Sequence, residues 1–137
     1  MTYRSGWRRW RRHGNGWLDV ARSEQSFEKI SRDKGPFEKG IDGIYKNARP
    51  PPDYVIGEAK YGGGGLGKTR DGRQMGDDWV NGTKTGFDRL ETAVGKEIAR
   101  DIRRSMAGDG VEKWLLRVDE SGNVTKQVLD VAGYVIK

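Results

Sequence analysis

The sequence predicts a single domain of mixed α/β (α+β) class, in which helices flank a mixed β-sheet. The chain has 137 residues, enough to bury a hydrophobic core without disulfides or structural metals. Over residues 87–106 the apolar residues recur at spacings of three and four, as on one face of a helix. Other short stretches are rich in β-branched and aromatic residues and are typical of strands. The predicted elements follow in the order α-β-β-α-β-β.

The first predicted helix covers residues 17–33 and is stopped by Gly35 and Pro36. Its apolar stripe is loosely spaced and consists of Leu18, Ala21, Phe27 and Ile30. A short strand over residues 41–47 and a connection over residues 48–53 follow. That connection contains three consecutive prolines, which cannot contribute to a sheet ladder.

The second half of the chain begins with a strand over residues 54–61, where Tyr-Val-Ile favours extended backbone. Residues 62–72 are rich in glycine and predict a loop, and residues 74–80 predict a short helix. The long amphipathic helix over residues 87–106 comes next and is ended by glycines.

Two further strands, over residues 111–118 and 124–131, form a predicted hairpin through Glu-Ser-Gly-Asn at residues 120–123.

Residues 1–16 predict a basic arm, separate from a single domain over residues 17–137. The arm contains five arginines and no acidic residue, so it accounts for most of the net charge of +6. Interleaved with two tryptophans, these arginines suit phosphate contact and base stacking. The same pattern also suits contact with an anionic membrane surface or an acidic partner protein. An unstructured linker is a further interpretation. The nucleic-acid contacts expected from the arm are Arg8, Arg9, Arg11 and Arg12.

The composition excludes several classes of protein. The chain has no cysteine, so disulfides and thiolate metal sites are excluded, and its single histidine argues against zinc. No run approaches the roughly 18 apolar residues of a membrane span. No apolar segment marks a cleavable signal peptide.

The glycine-rich loop matches the phosphate-binding pattern G-x-x-x-x-G-K-[ST] from Gly62 to Thr69, and a predicted strand precedes it. A working loop of this kind opens a helix, whose N-terminal amides face the phosphates. Here Arg-Asp-Gly at residues 70–72 predicts a turn instead, and no later apolar strand ends in an aspartate for magnesium. We therefore expect a flexible loop and no nucleotide cofactor.

Glu58 and Lys60 lie two residues apart at the end of the strand over residues 54–61. Strand side chains alternate between faces, so both project from the same face, beside the glycine loop. Such an acid and base could form a catalytic pair. From the spacing alone, an ordinary surface ion pair is the stronger interpretation.

Three sequence blocks extend this observation: Gly-Ile-Asp-Gly-Ile-Tyr at 40–45, Tyr-Val-Ile-Gly-Glu-Ala-Lys-Tyr-Gly at 54–62, and Arg-Gln-Met-Gly-Asp-Asp-Trp at 73–79. Together they resemble the PD-(D/E)xK nuclease superfamily. Within it they look like the C-terminal nuclease toxin modules of bacterial polymorphic toxins, including Rhs-type and secretion-system effectors. The resemblance implies a restriction-endonuclease-like fold.

The acid that partners Glu58 is expected to be Asp42. Asp53 follows Pro52 and gives a literal Pro-Asp, but it lies five residues from Glu58 on one extended segment. That spacing places the two acids on opposite faces and about 17 Å apart. Asp42 precedes the proline connection, which allows its strand to pair with that of Glu58. Ile41 stands where the family name has proline.

The resemblance implies a site for Mg²⁺ (or Mn²⁺) held by Asp42, Glu58 and the backbone carbonyl of Ala59. Lys60 would orient the attacking water or stabilise the transition state. Residues expected to support the site are Glu24, with Glu28 as second choice, and Gln74 from the following helix. Lys68, Arg70 and Arg73 either hold the nucleic-acid backbone or are simply exposed charges.

By the same resemblance, the chain is expected to be a metal-dependent DNase toxin used in interbacterial competition. It would be delivered into a target bacterium, act in its cytoplasm and be blocked by a cognate immunity protein. An RNase or tRNase toxin on the same fold is one alternative. A non-catalytic nucleic-acid-binding module that uses the arginine arm is another.

Overall fold

A five-stranded mixed sheet forms the centre of the molecule. The computed structural model describes residues 27–35 and 38–137, so the predicted arm lies outside the described residues. The strand order is β1-β2-β3-β6-β7. These strands are β1 (Phe27–Lys29), β2 (Gly43–Asn47), β3 (Tyr54–Tyr61), β6 (Val111–Val118) and β7 (Val124–Leu129). The remaining elements are a small hairpin, β4 (Lys68–Thr69) and β5 (Gly72–Arg73), and the helices α1 (Asp77–Asn81), α2 (Arg89–Val94) and α3 (Lys96–Ala107).

The sheet is antiparallel except at its centre. β1 pairs with β2, and β2 with β3, in antiparallel fashion, and β6 pairs with β7 in the same way. β3 and β6 are parallel over their whole length. Parallel neighbours need a long crossover connection, and here that connection contains the three helices of the described residues.

Two hydrophobic clusters lie on opposite faces of this sheet. On the helical face, Ile56 and Leu115 from the strands pack with Leu90 and Ile102 from the helices. The other face is packed around Trp114, whose ring meets that of Phe27 edge-on with centroids 5.3 Å apart. Strands β3 and β6 are therefore buried on both faces, and they form a rigid base for the residues at their ends.

The predicted mixed α/β (α+β) class with a mixed sheet is confirmed. The prediction of a first helix is wrong for residues 27–33, the part of it that the structure describes. Residues 27–29 form β1 rather than the last part of a helix over 17–33. Phe27 is 2% exposed because it packs against Trp114, and β1 extends the sheet by pairing with β2. This long-range packing overrides a loose helical periodicity.

The later elements follow the predictions closely. Strands β3 and β6 have the predicted bounds, while β7 ends at Leu129. The short helix predicted at 74–80 is α1, which begins at Asp77. The helix predicted over 87–106 is divided into α2 and α3 by Gly95, which has φ 88°.

The predicted glycine loop contains the β4–β5 hairpin. Lys68 and Thr69 are strand residues, so the structure contradicts a phosphate-binding helix start at this position. Asp71, in the hairpin turn, is 3% exposed and accepts hydrogen bonds from the backbone amides of Lys84 and Thr85 at 2.7 and 2.8 Å. It also pairs with Arg89 at 2.9 Å. Asp71 thus ties the hairpin to the loop before α2 and to α2 itself.

Candidate active site

The strand register brings Asp42 beside Glu58. Gly43 pairs with Gly57 at the end of β2, so Asp42, the residue before that strand, is level with Glu58. The backbone amide of Ala59 donates to Asp42 Oδ2 at 3.1 Å, which fixes the carboxylate there. Asp53 lies at the other end of β3 and accepts a hydrogen bond from Ser105 at 3.0 Å. Of the two candidate acids, the structure places only Asp42 next to Glu58.

Glu58 is a buried carboxylate on the helical face of β3, with 5% of its surface exposed. Its Oε2 accepts a hydrogen bond from Gln74 Nε2 at 2.7 Å and lies 3.9 Å from Lys60 Nζ. Its Oε1 is buried and makes no hydrogen bond of ordinary geometry among the described residues, although in the neutral form Glu58 shares a proton with the nearby Asp42 carboxylate. Because a buried unpaired oxygen is costly, this atom points to a ligand.

The electrostatic environment of Glu58 favours its neutral form. Burial raises the pKa of Glu58 to about 8, and the nearby carboxylate of Asp42 adds to the effect. The ammonium groups of Lys34 and Lys60 act in the opposite direction. A perturbed carboxyl beside a second carboxyl and two lysines is typical of a functional site.

Lys34 belongs to this site, although nothing in the sequence singled it out. Its Nζ donates to Asp42 Oδ1 at 2.6 Å and to the carbonyl oxygen of Gly40 at 3.3 Å. Each carboxylate of the pair therefore has its own lysine, Lys34 at Asp42 and Lys60 at Glu58. No spacing rule predicts Lys34, because it lies in irregular chain that only the fold brings to β3.

Gln74 reaches Glu58 from a turn before α1, and not from the helix as predicted. Its backbone amide donates to the carbonyl of Gly67 at 2.8 Å, which joins this turn to the glycine loop. On the other side the turn packs against residues 130–134. A Cβ on Gly133 would lie 2.8 Å from the carbonyl oxygen of Gln74, and one on Gly76 would lie 3.0 Å from that of Ala132. This close contact holds Gln74 in place.

The predicted phosphate-binding residues differ in their exposure and in their contacts near the site. Lys68 and Arg70 are exposed on the β4–β5 hairpin. Arg73 is half-buried beside Gln74, and its Nε donates to the carbonyl of Gly133 at 2.8 Å. Arg117, which the sequence reasoning missed, is level with Lys60 across the parallel pair and donates to the carbonyl of Gly64 at 2.6 Å. It anchors the glycine loop beside the site.

The prediction of Glu28 as the second-choice acid that supports the site is wrong. It lies on β1 opposite Lys46, which is itself opposite Tyr54. Tyr54 is four residues from Glu58 along β3, or roughly 13 Å. Glu28 is also exposed. The first choice, Glu24, lies outside the described residues, as do the arm residues Arg8, Arg9, Arg11 and Arg12.

The donor set fits a hydrated magnesium or manganese ion. Mg²⁺ is often held by one or two carboxylates and keeps several of its waters. Asp42 and Glu58 supply two carboxylates, and Glu58 Oε1 is an oxygen that lacks a partner within the described part of the chain. Residues 27–35 and 38–137 contain no group of three or more Asp, Glu, His or Cys side chains arranged for a metal ion. Any third carboxylate would have to come from outside these ranges.

Comparison with known proteins supplies no relative for the chain. No protein-family model, curated protein or solved structure matches it. Within the described residues, no helix combines the length and apolar character needed to cross a membrane. The interpretation of the site therefore depends on its geometry.

Proposed function

We propose that this chain is a metal-dependent endonuclease of the PD-(D/E)xK type, with a restriction-endonuclease-like fold, that hydrolyses phosphodiester bonds. The supporting observation is the buried carboxyl of Glu58, with one unpaired oxygen, beside Asp42 and Lys60 at the end of β3. An acid just before β2, and an acid and a lysine on its partner β3, match the roles that the sequence resemblance assigns to them.

Each residue has a distinct role in the proposed reaction. Asp42 and Glu58 would hold the Mg²⁺ or Mn²⁺ ion, with the carbonyl of Ala59 as a further ligand. The ion would polarise the scissile phosphate and activate a bound water. Lys60, on the same face as Glu58, orients that water and offsets the negative charge gained in the transition state. Gln74 fixes the carboxylate of Glu58 through its 2.7 Å hydrogen bond.

The proposed biological role is that of a DNase toxin in interbacterial competition. The three sequence blocks at residues 40–45, 54–62 and 73–79 support this role by their resemblance to polymorphic toxin modules. The role implies delivery into a target bacterium, action in its cytoplasm and a cognate immunity protein. An RNase or tRNase toxin would use the same residues on another substrate.

Plasmid digestion tests the proposal. Wild-type protein with Mg²⁺ or Mn²⁺ should nick or degrade plasmid, and EDTA should stop the reaction. Glu58→Gln and Lys60→Met should each lose activity by about a hundredfold or more, since each removes a metal ligand or a transition-state charge. Glu28→Gln, an exposed glutamate on the same sheet, is the matched control and should cleave normally.

Robust plasmid cleavage by both site variants would overturn the assignment. Parallel digestion of total RNA separates the two substrate classes, because an RNase would degrade RNA and leave the plasmid intact.

The arginine arm supports a second candidate, a non-catalytic nucleic-acid-binding module. This candidate predicts binding that weakens as salt rises, survives Glu58→Gln and disappears when residues 1–16 are removed. A nuclease would instead lose cleavage in Glu58→Gln whether or not the arm is present.

A further inference from the structure

Tyr134 is a large aromatic side chain that lies outside the core. It is 54% exposed, whereas Trp79 and Trp114 are buried. The guanidinium carbon of Arg73 lies 4.3 Å from the centroid of its ring. The exposed tyrosine ring thus stacks on the half-buried guanidinium of Arg73.

This stack is held rigidly. Asp130 Oδ1 accepts hydrogen bonds from the backbone amides of Ala132 and Tyr134, both at 2.9 Å, and the Tyr134 carbonyl accepts one from the Asp130 amide at 2.7 Å. The Arg73 side chain is fixed in turn by its hydrogen bond to the carbonyl of Gly133. These bonds fix the backbone at Tyr134 and the arginine beneath its ring, which lowers the conformational entropy lost when a ligand binds.

The stack also lies next to the candidate active site. Arg73 precedes Gln74, whose side chain donates to Glu58, and Gly133 packs directly on the Gln74 backbone. On its other side, Arg73 donates to the carbonyl of Leu66 in the glycine loop at 3.4 Å. A nucleic-acid strand that runs from a phosphate at Glu58 and Lys60 towards residues 73 and 133 would meet Tyr134.

We propose that Tyr134, backed by Arg73, is a stacking subsite for one unpaired nucleobase next to the scissile phosphate. Aromatic side chains and arginine planes stack on bases of single strands, and a nearby cation holds the backbone. Bases inside a duplex are stacked on their neighbours, so the ring can receive only an unpaired or flipped base. This inference rests on the proposed nuclease function and narrows its substrate to single-stranded or locally opened nucleic acid.

Binding to abasic strands tests the subsite without cleavage. The Glu58→Gln protein would be titrated against fluorescent single strands of DNA in which each nucleotide in turn is replaced by an abasic linker. An abasic linker at one position should weaken binding about tenfold, the effect of losing one stacked base. The same series in RNA shows which type of strand supplies the base.

Variants of the stack locate the effect. With Tyr134→Ala in the same background, the intact strand should bind about tenfold more weakly, and the abasic penalty should vanish. Tyr134→Phe should keep both affinity and penalty, because it keeps the ring. Val131→Ala is the matched control, since Val131 is 72% exposed on the same turn, and it should behave like the parent protein.

Equal binding of all abasic strands, the same penalty in Tyr134→Ala, or no measurable binding of either strand type would overturn the subsite. The failure of the nuclease proposal is a different result. Abasic-sensitive binding without any metal-dependent cleavage by the wild type would support the subsite and overturn the nuclease proposal. Metal-dependent cleavage by the wild type without abasic-sensitive binding would overturn the subsite and leave the nuclease proposal in place.

Discussion

At the scale of single residues, the surroundings of Glu58 act on its ionisation in opposite directions. A carboxyl this deeply buried is stable in its neutral form, yet Gln74 donates to one of its oxygens and Lys60 lies 3.9 Å from it. Those neighbours favour the ionised form. A divalent cation at the pair would resolve the conflict, because it favours ionised oxygens on both Glu58 and Asp42.

The metal-free protein should lose stability as the pH rises from about 5 to 8. In the folded protein burial raises the pKa of Glu58 to about 8, while the unfolded chain has the ordinary value of 4.5. Between these values unfolding releases a proton, so the free energy of unfolding falls by roughly 1 kcal/mol per pH unit. Denaturant unfolding in EDTA at several pH values measures this slope.

Glu58→Gln should flatten the slope and be more stable than the wild type at pH 8, because the amide does not titrate. Glu120→Gln serves as the control, because Glu120 is an exposed glutamate in the β6–β7 turn, and this variant should keep the slope of the wild type. If the slope is the same in Glu58→Gln and the wild type, another group is responsible for it.

At the scale of elements, Gly95 determines where the long amphipathic segment divides. Its φ of 88° is one that side-chain-bearing residues rarely adopt, and its amide donates to the carbonyl of Glu91 at 2.7 Å to close α2. The apolar spacing on both sides is that of a single helix. The glycine overrides this spacing and turns α3 away from the axis of α2.

Gly95→Ala should lower the free energy of unfolding by about 1–2 kcal/mol, since it introduces a side chain at a positive φ. No atom lies within 4 Å of the added Cβ, so the cost would be conformational and not steric. Thermal and denaturant unfolding measure it. Gly108→Ala is the matched control, because Gly108 closes α3 at φ −105° and its Cβ would make only ordinary contact. A neutral Gly95→Ala would argue for a continuous helix.

At the scale of the whole molecule, the sequence predicts those parts that local patterns determine. The bounds of strand β3 could be predicted because a β-branched run is enclosed by prolines and glycines. The geometry of an extended strand rejected Asp53, and the resemblance together with the proline connection pointed to Asp42. β1 was missed because its burial depends on Trp114, which is distant in sequence. Lys34 and Tyr134 were missed for the same reason, since only tertiary contacts bring Lys34 to Asp42 and Tyr134 to Arg73.

Metal binding should also be measurable as a gain in global stability. An ion that binds only the folded state at a hundred times its dissociation constant stabilises it by about 2.7 kcal/mol. Mg²⁺ should therefore raise the melting temperature of the wild type and have little effect on Asp42→Asn or Glu58→Gln. Glu28→Gln should respond like the wild type. An equal response in all four proteins would place the ion elsewhere.

The packing of Gly133 on Gln74 has a consequence for the protein during its synthesis. Asp42 and Glu58 leave the ribosome well before the turn over residues 130–134, which holds Gln74 against Glu58. The parallel partner of β3, strand β6, also emerges late in translation. A nascent chain thus carries both carboxylates without the contacts that organise them. Under the nuclease proposal, the growing polypeptide would lack an organised site until residues 111–134 have emerged and folded.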